Sequence, residues 1–332
     1  MKPRLLDQLR DAIRVRNYSI RTEDAYVMWA KRFVRFHDMK HPMEMGDIEV
    51  VAFLTHLAVN RNVAANTQNQ ALSALVFLYN HVIGTPLGDI SKSVRAKKPS
   101  KLPVVLTREE VRRVLFTLQG NQRLIVTLLY GSGLRLMEAL QLRVKDIDTN
   151  YQCLHIHDAK GRKDRIVTFP PSLHRPFASH LEQVKVTHES DLAAGYGEVH
   201  LPNALGRKYR SAGVSWPWQY VFPANRISHD PRSGKERRHH VYPSTIQKAV
   251  KRALSKAEVK KPASSHTFRH SFATHALENG IDIRTVQQQL GHASLETTEI
   301  YTHVLKRGGQ AVRSPLEDIF PGELPVESEN HQ

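Results

Sequence analysis

Cysteine and long apolar runs are nearly absent from this 332-residue sequence. Its one cysteine, Cys153, allows no internal disulfide and cannot form the cysteine cluster of a structural zinc site. No apolar stretch approaches the roughly 20 residues that cross a bilayer, and residues 1–13 lack the apolar core of a secretion signal. These absences favour a cytoplasmic protein with no membrane partner.

Acidic residues are scarce relative to basic ones. The chain carries 48 lysines and arginines against 32 aspartates and glutamates, which gives a formal net charge of +16. A soluble protein this basic usually binds a polyanion, and without a membrane segment the favoured polyanion is a nucleic acid. The length exceeds the usual size of one domain, so two domains are expected.

Apolar residues recur at helical spacing through the first 83 residues, which predicts a bundle of four helices. Lys31 and Arg35 fall on the outer face of the second helix and are candidates to contact DNA. Residues 84–106 combine proline, glycine and lysine without periodicity, which is typical of a linker. Lys97 and Lys98 in this linker could follow a DNA backbone, although a solvated connector is the alternative.

A second domain begins at Thr107, where TREE forms a capping box. The glycine-rich segment GSGLRLMEAL then places Arg135 at the first turn of a helix, near the centre of the domain. An arginine there needs an anion, and the alternative to a ligand is an internal ion pair with Glu138.

Residues 153–169 read as two strands joined by a turn. The turn carries Lys160, Arg162 and Lys163. Lysines on exposed turns are usually just solvated, but these three cations and Arg165 crowd one turn, which favours a nucleic-acid contact.

Residues 190–240 show neither helical nor strand periodicity and are punctuated by glycine and proline. Trp216 and Trp218 lie there among basic residues. Aromatic rings interleaved with cations suit unpaired bases, because every base has a face that can stack. The alternative is that the two tryptophans fill a small satellite core.

The segment from Ser264 to His303 predicts three short helices with stops at small residues. They would bring His266, Arg269, His292 and Tyr301 onto one surface. Two histidines, an arginine and a tyrosine form a constellation that can hold a phosphate diester and attack it.

A metal site is the competing interpretation of this segment. His266 and His270 are four residues apart, as two zinc ligands on a helix would be, but Thr267 stands where a zinc hydrolase would want a glutamate. No acidic cluster lies near the motifs, which disfavours a two-metal nuclease. We therefore expect no metal and no cofactor.

Five segments, in this order, resemble the catalytic domain of tyrosine site-specific recombinases: GSGLRLMEALQL, KGRKDR, HTFRHSFATH, QQQLGHASLETT and YTHV. The resemblance covers about residues 105–305. It implies a mainly α fold with a small β-sheet (α+β), in which an N-terminal helical core-binding bundle and a catalytic domain form a C-shaped clamp on DNA. The implied divisions are a bundle at 1–83, a linker at 84–106, a catalytic domain at 107–320 with an insertion at about 190–240, and a disordered tail at 321–332.

The resemblance also implies a role for each motif residue. Tyr301 is expected to attack DNA and form a covalent 3′-phosphotyrosine, without a metal or ATP. The remaining expected roles are phosphate clamping by Arg135 and Arg269, hydrogen bonding to the phosphate or transfer of the tyrosine proton by His266 and His292, protonation of the leaving 5′ oxygen by Lys160, and orientation of the site by Glu138.

The insertion, with LGRKYRSAGVSWPWQYVFP and SGKERRHHV, is similar to that of the integron integrases. This implies recognition of folded single-stranded cassette sites (attC hairpins) and of a duplex attI site, by a homotetramer that exchanges a C-terminal segment between protomers. The residues expected to hold expelled bases are Trp218, Pro231, His239 and His240. The alternatives are a chromosomal or phage-type recombinase acting on duplex sites, and a non-catalytic DNA-binding protein.

Overall fold

The computed structural model describes residues 4–88, 96, 102–157, 164–201, 205–231 and 233–302. The chain divides into two compact units, Met1–Lys101 and Leu102–Gln332. Several residues singled out in the sequence lie outside the described ranges: Lys97, Lys98, Lys160, Arg162, Lys163 and the C-terminal segment after residue 302. No helix among the described residues is long and apolar enough to span a bilayer.

The described residues of the first unit form a bundle of four helices. These are α1 (Leu5–Val15), α2 (Ile20–Phe36), α3 (Asp47–Thr55) and α4 (Ala65–Leu78), with a 3-10 turn at Pro42–Glu44 and π-helical turns at His56–Asn60 and Tyr79–Ile83. The hydroxyl of Ser19 caps α2 by accepting a hydrogen bond from the Thr22 amide at 3.2 Å. Lys31 and Arg35 are exposed on α2.

The second unit combines helices with two small sheets. Its helices are α5 (Arg108–Thr117), α6 (Gly120–Ser132), α7 (Leu136–Gln141), α8 (Pro171–Ala193), α9 (Leu205–Lys208), α10 (Pro243–Lys256), α11 (Ser265–Glu278), α12 (Ile283–Leu290) and α13 (Glu296–Glu299), with 3-10 turns at Val144–Asp146, Ala212–Val214 and Trp216–Trp218. Its strands are β1 (Ile147–Asp148), β2 (Cys153–Ile156), β3 (Arg165–Thr168), β4 (Pro223–His229) and β5 (Glu236–His240). The predicted mainly α fold with a small sheet is confirmed.

The first sheet is antiparallel in the order β1-β2-β3. Asp148 lies opposite Cys153, and Ile156 lies opposite Arg165. Leu154 and Ile156 alternate inward, as the sequence predicts. The two-residue strand β1 is too short to leave a sequence signal. The register puts Arg165 at the start of β3, which packs against α12.

The second sheet, β4-β5, lies in the segment that shows no strand periodicity in the sequence. The strands pair antiparallel, and ion pairs connect β5 to other segments of the unit. On β5, Arg238 donates to Asp191 of α8 at 2.7 Å, and Arg237 donates to Glu198 at 2.9 Å. Because these partners are far away in sequence, a search for alternating apolar residues misses the hairpin.

The almost wholly apolar helix α6 lies in the core and packs against α11. It ends at Gly133, which has a φ of +65°. A Cβ at this position would lie 2.5 Å from the ring of Phe272, so both the backbone and the neighbouring ring require glycine. Arg135 lies two residues after this tight turn.

Candidate active site

Arg135 occupies the N-cap position of α7 and is anchored to Glu138. Its backbone amide donates to Oε2 of Glu138 at 2.8 Å, and its guanidinium donates to Oε1 at 2.7 Å. A further hydrogen bond of 3.3 Å reaches the Gly291 carbonyl. The ion pair that was the alternative for Arg135 is therefore present, yet 23% of the side chain remains exposed and can meet a ligand.

Glu138 also binds Arg165 of β3, whose guanidinium donates to both carboxylate oxygens at 3.0 and 2.7 Å. Burial alone raises the pKa of Glu138, but the bonds from Arg165 and then Arg135 outweigh it and lower the pKa to about 2. In the sequence Arg165 stood out only as one of the cations crowded at the turn, expected to favour a nucleic-acid contact, whereas here it forms a buried ion pair. Its signal, one cation among four in a basic turn and strand, does not distinguish it from solvated neighbours.

Arg269, on α11, is 1% exposed. It donates to the carbonyls of Gly133 at 2.7 Å and Leu290 at 2.5 Å, which ties α11 to the ends of α6 and α12. Its Nε has no hydrogen-bond partner among the described residues. Burial, and then Arg135, lower the pKa of Arg269 to about 10, so it stays charged at pH 7.

The three guanidiniums surround one carboxylate. Arg135, Arg165 and Arg269 carry three positive charges against the single negative charge of Glu138, so the cluster has two positive charges in excess. An excess of this size in a partly buried site attracts an anion. Guanidinium donors suit phosphate oxygens in particular, because the planar fork can engage two oxygens at once.

Tyr301 lies in a small apolar cluster beside Ala273, Val286 and Leu290 and is 1% exposed. Burial raises the pKa of its phenol, and the positive charges of Arg269 and Arg135 partly offset this. Its Oη lies 2.9 Å from Nδ1 of His270. The tyrosine is thus a neutral phenol whose oxygen is engaged by an imidazole.

Three histidines line the same region: His266, His270 and His292. The rings of His266 and His270 meet nearly perpendicularly with centroids 4.5 Å apart, while His292 stacks 6.2 Å from Tyr301 and lies 3.0 Å from Oγ1 of Thr298. Burial is the main cause that lowers each pKa, to about 4 for His270 and about 3 for His292, with His266 also lowered. All three rings are neutral at pH 7.

His270 is a second residue of this site, and the sequence pointed to it only as a possible zinc ligand paired with His266. Its contact with Tyr301 joins positions 31 residues apart. The only available signal was its position four residues after His266, on the same face of a helix.

Several aromatic residues of the insertion gather around Tyr220: its ring contacts those of His239 and His240, and the Arg143 guanidinium lies over the rings of both Tyr220 and Trp218. Trp218 is partly buried beneath Lys145, whose Nζ lies 4.4 Å from the ring, and Trp216 lies 6.0 Å from His188 instead. His239 stacks on Tyr220 at 5.7 Å. The other two candidates differ in accessibility, because Pro231 is exposed and His240 only 9% exposed.

One group of described residues has the composition of a metal site. Asp148, Cys153 and His155 present ligand atoms within 4.8 Å of one another across β1 and β2. Burial and the nearby Asp148 raise the pKa of the Cys153 thiol, so it is protonated at pH 7. None of these three side chains belongs to the arginine cluster.

Both units match known protein families. Residues 104–307 match the phage integrase family, and residues 5–89 match the phage integrase N-terminal SAM-like domain. The chain is 50% identical over 318 residues to an Escherichia coli protein named Integrase/recombinase, covering 96% of this chain and 94% of that protein. It is 36% identical over 233 residues to the tyrosine recombinase XerA of Pyrococcus furiosus, covering 68% of each.

Among solved structures, the chain resembles a lambda integrase dimer bound to a COC′ core site, with a TM-score of 0.61. The alignment covers 92% of this chain and 96% of that one at 16% identity. At this identity the match concerns the fold, and it agrees with a helical N-terminal unit followed by a mixed second unit.

Proposed function

Since the chain belongs to the phage integrase family of tyrosine recombinases, which cleave and rejoin DNA strands, we propose that it is an integron-type recombinase that uses Tyr301 as its nucleophile. The observation that carries the assignment of the nucleophile is the position of Tyr301 beside the arginine cluster: it lies in one apolar cluster with Leu290, whose carbonyl accepts a hydrogen bond from Arg269. Arg269 and Arg135 lie close enough to Tyr301 to lower its pKa against the effect of burial. A phosphodiester bound by these arginines would lie near a phenolic oxygen.

The reaction needs little besides this arrangement. The Tyr301 oxygen forms a bond to phosphorus while the bond to the 5′ oxygen breaks, which leaves a 3′-phosphotyrosine and a free 5′ hydroxyl. The pentavalent phosphorane between these states carries extra negative charge, and the excess positive charge of the arginine cluster stabilises it. Because the covalent intermediate keeps the bond energy, rejoining requires neither ATP nor a metal.

Each remaining residue has a place in this scheme. Arg135 and Arg269 clamp the non-bridging oxygens; part of Arg135 is exposed, and the buried Nε of Arg269 has no hydrogen-bond partner among the described residues. Neutral His266 and His292 each have a ring N–H that can donate to the same phosphate. Lys160, which lies outside the described residues, protonates the leaving oxygen. Glu138 fixes Arg135 and Arg165 rather than touching DNA.

The integron assignment rests on the insertion. Trp218 is partly exposed and flanked by cations, a surface that suits bases expelled from a folded strand. The DNA backbone would be contacted by Lys31 and Arg35 on the first unit and by Lys97 and Lys98. Four protomers would assemble on two DNA sites. The second candidate is a chromosomal or phage-type recombinase that acts on duplex sites, and one relative of the chain is named tyrosine recombinase XerA.

A cleavage assay separates the two candidates. The purified protein is incubated with a folded single-stranded cassette site or with its complementary strand, and covalent protein–DNA adducts are resolved on a denaturing gel. The integron proposal requires adducts with one strand in clear preference. Equal adducts on both strands support the duplex-acting recombinase, and adducts formed by Tyr301→Phe contradict the choice of nucleophile.

A further inference from the structure

The hydroxyl of Tyr301 is in contact with a histidine that the family resemblance did not assign to the reaction. Nδ1 of His270 lies 2.9 Å from the phenolic oxygen. His292 is placed differently, since its Nδ1 lies 3.0 Å from the Thr298 hydroxyl and its ring stacks beside Tyr301. Of the three site histidines, His270 is therefore the one whose nitrogen meets the reacting oxygen.

The helix α11 explains the placement. Arg269 and His270 are consecutive, so their side chains leave the helix about 100° apart. Arg269 points to the carbonyls of Gly133 and Leu290, and His270 is thereby turned toward Tyr301. His266, one turn earlier on the same face, packs its ring against His270 and keeps an exposed edge.

The direction of this hydrogen bond follows from the two protonation states. The phenol is a neutral donor because burial raises the pKa of Tyr301. The ring of His270 is neutral because burial, then His266 and Arg269, lower its pKa to about 4. A buried phenolic O–H needs an acceptor, so we assign the phenol as donor and Nδ1 as acceptor, which places the ring hydrogen on Nε2.

We propose that His270 is a catalytic residue, the base that receives the Tyr301 proton as the phenolic oxygen attacks phosphorus. This proposal rests on the function proposed above. As the new oxygen–phosphorus bond forms and the bond to the 5′ oxygen breaks, the phenolic proton moves to Nδ1 of His270. The departing 5′ oxygen takes a proton from the acid assigned to Lys160. Rejoining reverses both transfers, so no proton or electron is left over.

Substrate binding makes His270 a better base. A phosphodiester brings one negative charge into the cluster, and the phosphorane carries two. This charge offsets the positive charge of Arg269, one of the causes that keep the free histidine neutral. Proton acceptance by His270 therefore becomes more favourable as the reaction proceeds.

The test uses His270→Asn. The asparagine amide oxygen can accept the hydrogen bond near the position of Nδ1, but it cannot take a proton at neutral pH, so it separates positioning from base catalysis. The substrate is an attachment site that the wild-type protein cleaves, nicked so that the fragment with the 5′ hydroxyl diffuses away and adducts accumulate. We expect His270→Asn to form adducts about 10²–10⁴-fold more slowly, the usual contribution of a general base.

A second substrate distinguishes the base from the acid. When sulfur replaces the bridging 5′ oxygen, the leaving thiolate needs no proton. A Lys160→Ala protein should regain its rate on this substrate, and His270→Asn should not. The proposal would be overturned if the sulfur substrate restored the cleavage rate of His270→Asn. It would also be overturned if His270→Asn cleaved the oxygen substrate within about threefold of the wild-type rate.

The chain offers a matched control in the same helix. His275 also makes a 2.9 Å hydrogen bond to a tyrosine hydroxyl, that of Tyr130. His275→Asn should bind and cleave DNA at close to the wild-type rate. If Tyr301→Phe still formed adducts, the choice of nucleophile would fail, and that outcome differs from a normal rate in His270→Asn.

A measurement on the unmutated protein makes the test independent of folding of the variants. Vanadate with cleaved DNA imitates the phosphorane, and nitrogen NMR of labelled histidine reports whether a ring is neutral or protonated. His270 should be an imidazolium in this complex and neutral in the free protein. A neutral His270 in the vanadate complex contradicts the assignment.

Discussion

The guanidinium of Arg165 meets the carboxylate of Glu138 through two hydrogen bonds of 3.0 and 2.7 Å. Both side chains are 9% exposed. The pair links β3 to the first turn of α7, where Glu138 also holds Arg135. The position of the ligand-facing arginine is therefore set in part by β3, whose own arginine adds positive charge to the cluster.

Breaking this pair should destabilise the second unit. Arg165→Met removes one partner and leaves Glu138 bound to Arg135 alone. We expect a loss of about 3 kcal/mol in the free energy of unfolding, at the low end for a broken buried pair because one arginine remains. Urea unfolding measures it. Arg112→Met, which breaks the exposed pair with Glu109, should cause no measurable change; equal losses in the two variants would contradict the prediction.

Glu138 should make stability depend on pH within a defined window. Its pKa is about 2 in the folded protein against an ordinary value of 4.5, so the folded state binds this proton more weakly than the unfolded chain. The stability contributed by the carboxylate is present above the unfolded pKa and is lost as the pH falls toward the folded one.

The comparison is between wild type and Glu138→Gln. The difference in their unfolding free energies should shrink by about 3 kcal/mol between about pH 5.5 and about pH 2. Urea unfolding at a series of pH values tests this. A difference that stays constant across the window would show that the carboxylate is not stabilised by its arginines.

Gly133→Ala should lower the free energy of unfolding more than an alanine at another glycine with positive φ does. Its Cβ would meet the Phe272 ring at 2.5 Å in addition to the backbone strain. Gly195 also has a positive φ, +84°, but has nothing within 4 Å of a Cβ, so Gly195→Ala carries only the strain, about 1 kcal/mol. We expect Gly133→Ala to lose about 2 kcal/mol more in thermal or urea unfolding. Equal losses would mean that Phe272 moves aside freely.

Arg269→Lys should impair cleavage much more than DNA binding. The guanidinium spans the carbonyls of Gly133 and Leu290 and still has Nε for a ligand, whereas a lysine is a point charge that cannot hold all three. Adduct formation should fall by about 10²–10³, as for loss of one donor to a transition-state oxyanion. The partly exposed Arg108 provides the control, and Arg108→Lys should stay within about twofold of wild type.

Trp218→Ala should weaken binding to a folded single-stranded site without weakening binding to a duplex. One stacked base is worth about 1–3 kcal/mol, so we expect the Kd for the folded site to rise about tenfold. Gel-shift titrations with both DNA forms measure the ratio. Tyr151→Ala removes an exposed aromatic ring outside the insertion and should change neither Kd. Unchanged binding by Trp218→Ala would favour the duplex-acting recombinase.

Local patterns revealed the residues that stand at helix starts and within short motifs. The capping box at Thr107 forms as predicted, with the Glu110 amide 3.1 Å from the threonine hydroxyl. Arg135, Arg269 and Tyr301 are candidates from the sequence because each lies in a distinctive segment. These features depend on neighbours within a few residues, and a sequence displays such neighbours directly.

Contacts between distant positions were not visible in the same way. Arg165 reaches Glu138 across 27 residues and His270 reaches Tyr301 across 31, and nothing in the local sequence separates these two side chains from ordinary charged or buried ones. The β4-β5 hairpin was not predicted for the same reason, because its ion-pair partners Asp191 and Glu198 lie outside it in the sequence. Such pairings become predictable only once the packing of the helices is known.

The near-complete enclosure of Tyr301 bears on when this protein can cut. With 1% of its surface open, Tyr301 offers almost no area to passing DNA in this conformation, and its oxygen faces His270 rather than solvent. DNA that only touches the surface of the protein in this conformation does not reach the Tyr301 oxygen. The conformation itself therefore suppresses cleavage of unrelated DNA.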